Sequence, residues 1–564
     1  MTGDDSALNF ELGGGGEFRL GWWGGHGALR LEDGASAALS SLNVGASGSG
    51  ELVMSGGATL TTTCCGYVGS GLGSVATATL SGLGTKWTGV GVDAVTAGEF
   101  GSTGSIAVLD GAAIEAEGFQ LANEGGLSGS LLVSGRGSVV HTGGFSTAGV
   151  PDASAEFDIV DAGLLEIEGF GFLSFAGSTA GTIDGAGSRL DCDADFVVGS
   201  GEGGDALVTV SNGGTLETGG ILYALRGLQD VNPAALVVDG AGSKVLAGGR
   251  LYVRGDKPGT SVIVRHGAQA SLFSGATLGE FGSPCELRAE SGAQIVSLGG
   301  LSVGAGAGVA PDVKFSIRDP GTSVTFEASP CYVDAGLVEC VDAAVFSALE
   351  LNVGWGGEAD LHVSGSAFVG VFGRLTLGNI GNGEGTLHVS GAGSLVSCGS
   401  DLVSGFDGTG HISISEGAFV ATAGNYYQEL DSSLSVEFGL DSSAAPLFVL
   451  GTANLGGTLS VQFLRGAELE VGETRLIIDA GAVNGVFATT SLPPQHEVSY
   501  GPAGVSIVRV ASVLGDLNND GLVGGSDLAE LLGAWGNSGA ADLNGDGVVD
   551  AADLALLLGA WSGA

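Results

Sequence analysis

Two short segments near the end of the chain carry oxygen-bearing side chains at a spacing that suits a hard cation. They read DLNNDGLVGGSD and DLNGDGVVDAAD and begin 26 residues apart. Side-chain oxygens at positions 1, 3 and 5, a glycine at 6, a backbone carbonyl at 7 and a carboxylate at 12 form the pattern of a calcium-binding loop. The sequence therefore predicts two Ca²⁺ sites. The expected ligands are Asp516, Asn518, Asp520, Leu522 and Asp527 in the first loop and Asp542, Asn544, Asp546, Val548, Asp550 and Asp553 in the second.

The two loops differ at position 9, where Asp550 offers a carboxylate and Gly524 offers no side chain. We therefore expect the second loop, residues 542–553, to bind Ca²⁺ more tightly than the first. Position 12 is aspartate in both loops, Asp527 and Asp553, rather than the glutamate of an EF-hand. The shorter side chain reaches the ion less easily.

Each loop leads directly into a leucine-rich segment, DLAELLGAW or DLALLLGAW, with the leucine spacing of an amphipathic helix. A duplicated calcium loop with one following helix and no entering helix resembles the dockerin module, here over residues 513–564. The resemblance implies a small α-helical, EF-hand-like module that docks onto a cohesin-like or other protein partner. In dockerins, loop positions 10 and 11 contribute to partner recognition; they correspond here to Gly525 and Ser526 and to Ala551 and Ala552.

Outside these loops, two sets of residues suggest chemistry. Asp191, Asp193 and Asp195 alternate along RLDCDAD. They could face one way as a calcium or acid–base cluster, since glycoside hydrolysis needs paired carboxylates, but we favour a solvated acidic face. His362 and His388 occupy equivalent places in successive repeats and are expected to stack on the outside, with a metal-binding ladder as the less favoured alternative. No catalytic or cofactor-binding residue is predicted.

One phrase recurs along most of the chain: a short apolar strand, Ser or Asp, Gly, a small residue, and often Gly-Ser or Gly-Thr. Its sixteen copies begin at Asp33 and end at Ser415, with a mean spacing near 25.5 residues. A period of this length indicates a solenoid, a propeller or a repeat array. The glycines supply the positive φ angles that tight bends need, and the Ser or Asp side chain is expected to cap the turn by accepting a backbone N–H.

The strand pattern within a repeat selects among these architectures. DLHVSG, AFVGV and RLTLGN, in residues 360–379, are three short runs with period-two alternation. Three strands and three turns in one repeat make one triangular coil of a right-handed parallel β-helix, whereas a propeller blade needs four strands and about 40–45 residues. The sequence therefore predicts an all-β solenoid.

We divide the chain into three domains. Residues 1–427 form the β-helix of about sixteen coils, residues 428–512 a β-rich C-terminal cap over its open edge, and residues 513–564 the dockerin module. The repeats also resemble those of autotransporter-passenger-like proteins from planctomycete-type secretomes, over about residues 24–424. Both resemblances imply an extracellular or cell-surface location, although no signal peptide is visible at the N-terminus.

Composition limits the partners. The chain has 18 Lys and Arg against 62 Asp and Glu, a formal net charge of −44, so a nucleic-acid surface is not expected. Hydrophobic residues make up 44% and provide a core, but no apolar run is long enough to span a membrane. Among the seven cysteines, Cys64 and Cys65 are expected to be buried thiols, with a vicinal disulfide as the less favoured alternative. Cys331 and Cys340 could close a short loop as a disulfide.

These features favour a non-catalytic, secreted or surface-displayed β-helical scaffold or adhesin-like protein, with a calcium-binding dockerin that mediates protein–protein docking. The alternative is a carbohydrate-active β-helix enzyme, a polysaccharide lyase or glycoside hydrolase, brought to a polysaccharide-degrading assembly by its dockerin. A cleft that gathers Asp, Glu, His or Arg on one face would distinguish the enzyme from the scaffold. A polysaccharide ligand is compatible with both.

Overall fold

The computed structural model of the protein is nearly all β, with two short helices near the C-terminal end. It describes residues 7–10, 16–91, 95–123, 125, 127–199, 204–224, 234–255, 259–307, 312–439, 444–464, 467–511, 513–518 and 521–562.

Most of the chain forms a parallel β-solenoid of about 17 turns, which confirms the predicted fold. Each coil contributes three short strands, and each strand pairs in parallel with its equivalents one coil before and one coil after. Strand Glu358–Val363, for example, pairs with Gly336–Cys340 on one side and with Glu384–Ser390 on the other. The strands therefore form three columns that run along the solenoid.

The strands of the first column are His26–Leu31, Ser49–Ser55, Val75–Ser81, Thr103–Leu109, Ser128–Ser134, Ser154–Val160, Ser178–Asp184, Ala206–Ser211, Ala234–Asp239, Ser261–Arg265, Cys285–Glu290, Val313–Ile317, Gly336–Cys340, Glu358–Val363, Glu384–Ser390, Thr409–Ser415, Ser433–Phe438, Thr458–Phe463 and Thr489–Ser491. Those of the second column are Ala7–Phe10, Lys86–Gly89, Ala113–Ala116, Val139–Thr142, Leu164–Ile167, Arg189–Cys192, Thr215–Thr218, Lys244–Ala247, Gln269–Leu272, Gln294–Ser297, Ser323–Phe326, Val345–Ala348, Phe368–Val371, Leu395–Cys398 and Phe419–Thr422. Those of the third column are Glu17–Leu20, Val95–Glu99, Phe119–Asn123, Phe145–Thr147, Gly171–Leu173, Phe196–Val198, Leu222–Ala224, Leu251–Val253, Ala276–Leu278, Leu301–Val303, Cys331–Val333, Leu351–Val353, Leu375–Leu377, Leu402–Ser404 and Tyr426–Gln428. Four longer strands belong to both the second and the third column: Ser36–Val44, Thr59–Val68, Leu447–Leu455 and Thr474–Gly485.

Strand pairing changes from parallel to antiparallel at the C-terminal end of the solenoid. Parallel pairing continues as far as strand Thr489–Ser491. Strand Thr474–Gly485 then pairs antiparallel with Gly504–Arg509, which also pairs antiparallel with His496–Gly501. These antiparallel strands lie inside the predicted cap, whose boundary near residue 428 stays a prediction.

The period-two alternation of the sequence corresponds to side chains that point alternately into the solenoid and towards solvent. In strand Ser49–Ser55 every second residue is buried, and Leu52 and Met54 are fully so. Large and small residues then complement each other between coils. The Phe157 ring lies where a Cβ on Gly181, its partner in the next coil, would come within 2.1 Å of it. The aromatic ring therefore needs a glycine at that position.

The corners explain the recurring phrase. In the copy that begins at Asp33, Asp33 and Gly34 both have positive φ, 55° and 79°, a backbone that favours Asp, Asn and Gly over other residues. The Ser or Thr that ends the phrase instead forms hydrogen bonds through its hydroxyl. The buried Ser188 hydroxyl accepts a hydrogen bond from Ala162 N–H of the preceding coil (3.0 Å) and donates one to the Asp184 carbonyl (2.6 Å).

The same hydroxyl bridge recurs in other coils. Thr85, Ser138 and Ser243 are buried, and each accepts from a turn amide of the preceding coil and donates to the carbonyl four residues earlier. The cap that we expected from the first Ser or Asp of the phrase is present at Asp319, whose carboxylate accepts from Ser291 N–H at 3.0 Å. Both ends of the phrase therefore connect one coil to the next.

The cysteines differ from the sequence-based expectation. Cys64 and Cys65 form a disulfide, and the Cys64 side chain is exposed, so the prediction of buried thiols is wrong. Cys331 and Cys340 are separate buried thiols on strands of different columns, so the disulfide that the sequence allowed between them is not formed. Burial raises the pKa of both to about 12. Because each strand points its cysteine inward from its own side of the coil, proximity in sequence does not bring the sulfurs together.

In the described part of the chain, no helix has the length and apolar character that crossing a membrane would require.

The hydroxyl bridge leads to a test of stability. Ser188→Ala should remove the acceptor for Ala162 N–H and leave that amide without a partner, at a cost of about 1–3 kcal/mol in the free energy of unfolding. We expect a lower urea midpoint than that of the native chain. Ser188→Thr keeps the hydroxyl, as Thr85 does at the equivalent position, and should unfold near the native midpoint. Equal midpoints for the two variants would contradict the bridge.

Candidate calcium loops

The two predicted loops each end in a helix, as expected. Helix α1 spans Gly525–Gly533 and helix α2 spans Ala551–Gly559. Each is only nine residues long, so neither would be stable without tertiary contacts. The contacts come from a small core separate from that of the solenoid. Its buried members are Val523, Leu531, Ala541, Val549 and Leu557.

Backbone hydrogen bonds close the two halves on each other. Val523, at position 8 of the first loop, accepts from Ser562 N–H at 3.0 Å and donates to the Ser562 hydroxyl at 2.8 Å. Val549, at position 8 of the second loop, donates to the Asn537 carbonyl and accepts from Gly536 N–H, both at 2.8 Å. Each loop is thus tied to the segment that follows the other helix, so the duplication in sequence becomes a reciprocal pair in space.

The second loop is folded around the Asp542 carboxylate. Oδ1 accepts from the N–H groups of Gly545 (2.9 Å) and Asp546 (3.1 Å), and Oδ2 accepts from Gly547 N–H at 2.7 Å. Asn544 donates through Nδ2 to Asp546 Oδ2 at 2.9 Å. These bonds turn the chain sharply at Gly547, where φ is 97°. Oxygen atoms at positions 1, 3 and 5 thereby come to line one short turn.

Asp550 and Gly524 differ as the sequence suggested, and the difference also affects the helices. The Asp550 carboxylate accepts from Ala552 N–H at 2.7 Å and caps the N-terminus of α2. Helix α1 has no such side-chain cap because Gly524 occupies its N-cap position. Glycine in place of aspartate at an N-cap typically costs a helix roughly a few tenths of a kcal/mol. The first half is therefore the less stabilised of the two.

The carboxylates at position 12 are buried and hold the loop closed. Asp553 Oδ1 accepts from the N–H groups of Leu543 (2.7 Å) and Asn544 (3.0 Å), and Oδ2 accepts from Asp550 N–H at 2.8 Å. The bond from Asp550 contributes most to lowering the Asp553 pKa, and desolvation opposes it.

Asp527 repeats this arrangement in the first loop, with bonds from Leu517, Asn518 and Gly524 N–H at 2.8, 3.1 and 2.8 Å. Here desolvation is the largest influence and would raise the pKa. The three backbone donors together outweigh it, so the Asp527 pKa lies below its usual value.

The rest of the first loop is described in part. Asp516 Oδ2 accepts from Gly521 N–H at 2.9 Å, the counterpart of the bond from Gly547 to Asp542. Asp520, the predicted ligand at position 5, lies outside the described residues. The side chains of Leu522 and Val548, whose backbone carbonyls are the predicted ligands at position 7, are exposed.

The structure separates the aspartates at 191–195 but brings together the two histidines that the sequence singled out. Asp191 pairs with Arg189 at 2.8 Å, while the Asp195 carboxylate accepts from Ile221 N–H, also at 2.8 Å, so these aspartates do not share one site. His362 and His388 do meet on the outside, with ring centroids 4.8 Å apart in an edge-to-face contact. The sequence analysis missed Asp360, which lies beside them. Desolvation and the neighbouring His362 lower the pKa of His388.

Comparison with known proteins identifies the C-terminal segment. Residues 514–559 match the dockerin type I domain. Such domains are generally calcium-binding, mediate protein–protein docking and are typically found on extracellular proteins. No curated protein matches the chain. The match coincides with the two loops and both helices, and the solenoid lies outside it.

The buried aspartates generate a pH prediction. Because the folded pKa of Asp527 and Asp553 lies below the unfolded value near 3.9, their stabilisation is complete above that value and is lost as pH falls through the folded pKa. In calcium-free buffer, hydrogen exchange of residues 513–564, corrected for the intrinsic rate, should show protection decreasing from pH 5 to pH 3. Asp527→Asn/Asp553→Asn should be less protected at pH 5 and less dependent on pH. Glu530→Gln is the control and should follow the native chain.

Proposed function

We propose that the protein is a non-catalytic extracellular or surface-displayed β-helical scaffold that is held in a larger assembly by a calcium-binding dockerin. The observation that carries the proposal is the match of residues 514–559 to the dockerin type I domain, together with the loop geometry of the same residues. The resemblance of the repeats to autotransporter-passenger-like proteins supports display outside the cell. The solenoid would then act as a rigid spacer and the dockerin as its attachment point.

Two calcium sites are part of the proposal. All the predicted donors are oxygens, as Ca²⁺ prefers, and six to eight are needed. Each of the two position 12 carboxylates, Asp527 and Asp553, already accepts two amide bonds at Oδ1 and one at Oδ2. Since an ionised carboxylate oxygen offers about two lone-pair sites, we infer that each binds the ion through Oδ2 alone. Water would complete the coordination.

The docking surface would use the exposed apolar side chains of the two halves. Three pairs related by the 26-residue repeat are exposed: Leu522 and Val548, Leu532 and Leu558, and Trp535 and Trp561. Exposed apolar clusters of this kind mark interaction sites. Residues 513–564 contain no Lys or Arg, so the charged side chains of the module are all acidic. We propose a cohesin-type partner whose surface is apolar with a basic rim.

A carbohydrate-active enzyme is the second candidate. The surface aromatic pairs favour contact with sugars: Tyr223 and Tyr252 stack at 5.3 Å between ring centroids, and Tyr332 and Trp355 meet at 4.7 Å. Aromatic side chains at the surface serve a binding scaffold as well as an enzyme. Against catalysis, Asp191 is paired with Arg189 and Asp195 accepts a backbone amide, so these two carboxylates are engaged separately.

Calcium titration of the full chain tests the two sites. We expect two binding events by isothermal titration calorimetry, and hydrogen-exchange protection that rises in residues 513–564 because Ca²⁺ offsets the repulsion among the acidic side chains. Asp542→Ala should remove the tighter event and Asp516→Ala the weaker one.

Asp191→Ala, on the solenoid, is the control for this titration and should leave both events unchanged. Protection in the solenoid strands should not change with calcium. A single event in the native chain, or no event at millimolar Ca²⁺, would contradict the two-site proposal.

A second experiment separates the scaffold from the enzyme. The calcium-loaded chain is incubated with a panel of polysaccharides, and both retention of the protein and release of soluble sugar are measured. The proposal predicts retention on one or more members without product release. Product release that persists in Asp542→Ala would assign catalysis to the solenoid and overturn the non-catalytic reading.

A further inference from the structure

A group of three potential metal ligands lies on the outer face of the first strand column, far along the chain from the calcium loops. Asp360 and His362 are on strand Glu358–Val363, and His388 is on the next strand, Glu384–Ser390. One ligand atom from each residue lies within 4.8 Å of the others. This is the one such group that the described residues contain.

The fold dictates this grouping. Leu361 and Val363 are buried, so Asp360 and His362 point outward on the alternate face. His388 is in register with His362 across the parallel pair, and strands pair at about 4.8 Å. Asp360 and His362 therefore project from neighbouring outward positions of one strand, and His388 projects beside His362 from the next strand. Both strands are paired on their two sides, which fixes the backbone beneath the group.

Within the described residues, no hydrogen bond or ion pair involves the side chain of Asp360, His362 or His388, although the two histidine rings contact each other. The remaining histidines all have hydrogen-bond partners. These are Ser49 for His26, Glu166 and Glu168 for His141, Asp239 for His266, Ser433 for His411 and the Pro494 carbonyl for His496.

We propose that Asp360, His362 and His388 bind a first-row transition-metal ion, Zn²⁺ in the first instance, with water at the remaining coordination positions. Imidazole nitrogen with a carboxylate suits Zn²⁺, Cu²⁺ and Ni²⁺, whereas Ca²⁺ takes oxygen ligands. A tetrahedral ion with bonds of about 2.0–2.1 Å places its ligand atoms about 3.3 Å apart. The ligand atoms now lie within 4.8 Å of one another, so the proposal requires the side chains to rotate towards the ion.

The site is distinct from the chain's other metal-binding chemistry. The calcium loops offer oxygen ligands, so saturating Ca²⁺ fills them without occupying the histidine site. The five free cysteines are buried, and desolvation raises their pKa to about 11 at Cys192 and about 12 at Cys285, Cys331, Cys340 and Cys398. These thiols therefore stay protonated at neutral pH and do not compete for the ion.

The experiment is a titration of the full-length protein with Zn²⁺ in millimolar Ca²⁺, followed by calorimetry, and with Co²⁺, followed by visible absorption. We expect one site in each case. His362→Asn and His388→Asn should each weaken binding at least about tenfold, since even a residue that only orients a ligand is worth 10–100-fold. Asp360→Asn should weaken it in the same direction.

His26→Asn is the matched control, because His26 also lies in the first column and has a hydroxyl partner. It should bind Zn²⁺ as the native chain does. All four substituted side chains lie on the outer face, and unchanged thermal melting of each variant without metal verifies that the fold is intact. Native Zn²⁺ affinity in His362→Asn/His388→Asn, or absence of a Co²⁺ absorption band in the native chain, would overturn the proposal.

Discussion

The return of each coil to the same three strand positions is the constraint on which the rest of the solenoid depends. A parallel strand of the described solenoid pairs with the coils before and after its own, so its N–H and C=O groups are satisfied by those neighbours. A coil that closed too early or too late would shift a strand by one residue and turn its buried face outward. The corners must therefore be as well defined as the strands, which is why the recurring phrase lies there and why its closing hydroxyl, as at Ser188, bonds to the preceding coil.

The same constraint acts differently on the residues that point into the solenoid and on those that point towards solvent. Inward positions are restricted by packing across coils: Phe157 requires Gly181, and cysteines that point inward, such as Cys398, remain inert thiols. Outward positions are restricted only by register, and residues one coil apart are placed side by side without any further requirement. Ion pairs such as Arg318 with Glu339 and ring pairs such as Tyr223 with Tyr252 arise in this way. On the outer faces of the strands, side chains from successive coils thus form rows from which a ligand-binding group can be built.

The sequence predicted what is local or periodic. The repeat spacing and the alternation of DLHVSG were sufficient for the parallel solenoid, because that signal is periodic. The DLNGDG pattern was sufficient to recognise the dockerin segment, because that signal lies within a few residues. Two contacts that depend on the exact path of the coil could not be predicted from the sequence. The bridging role of the last Ser in the phrase needs the distance to the preceding turn, and the disulfide of Cys64 with Cys65 needs the orientation of both side chains at the surface.

Two ways of assembling an ion site therefore coexist in one chain. The loop at residues 542–553 gathers its ligands within twelve consecutive residues, so its backbone amides can preorganise Asp542 before any ion arrives. The group of Asp360, His362 and His388 depends on a register across 26 residues, so it exists only once two coils have stacked. An ion bound there adds its binding free energy to the folded solenoid, whereas an ion in the loop adds it to the folded dockerin module. Because the two proposed sites prefer different ligand atoms, the stabilities of the solenoid and of the dockerin module would respond to different metals and would change independently.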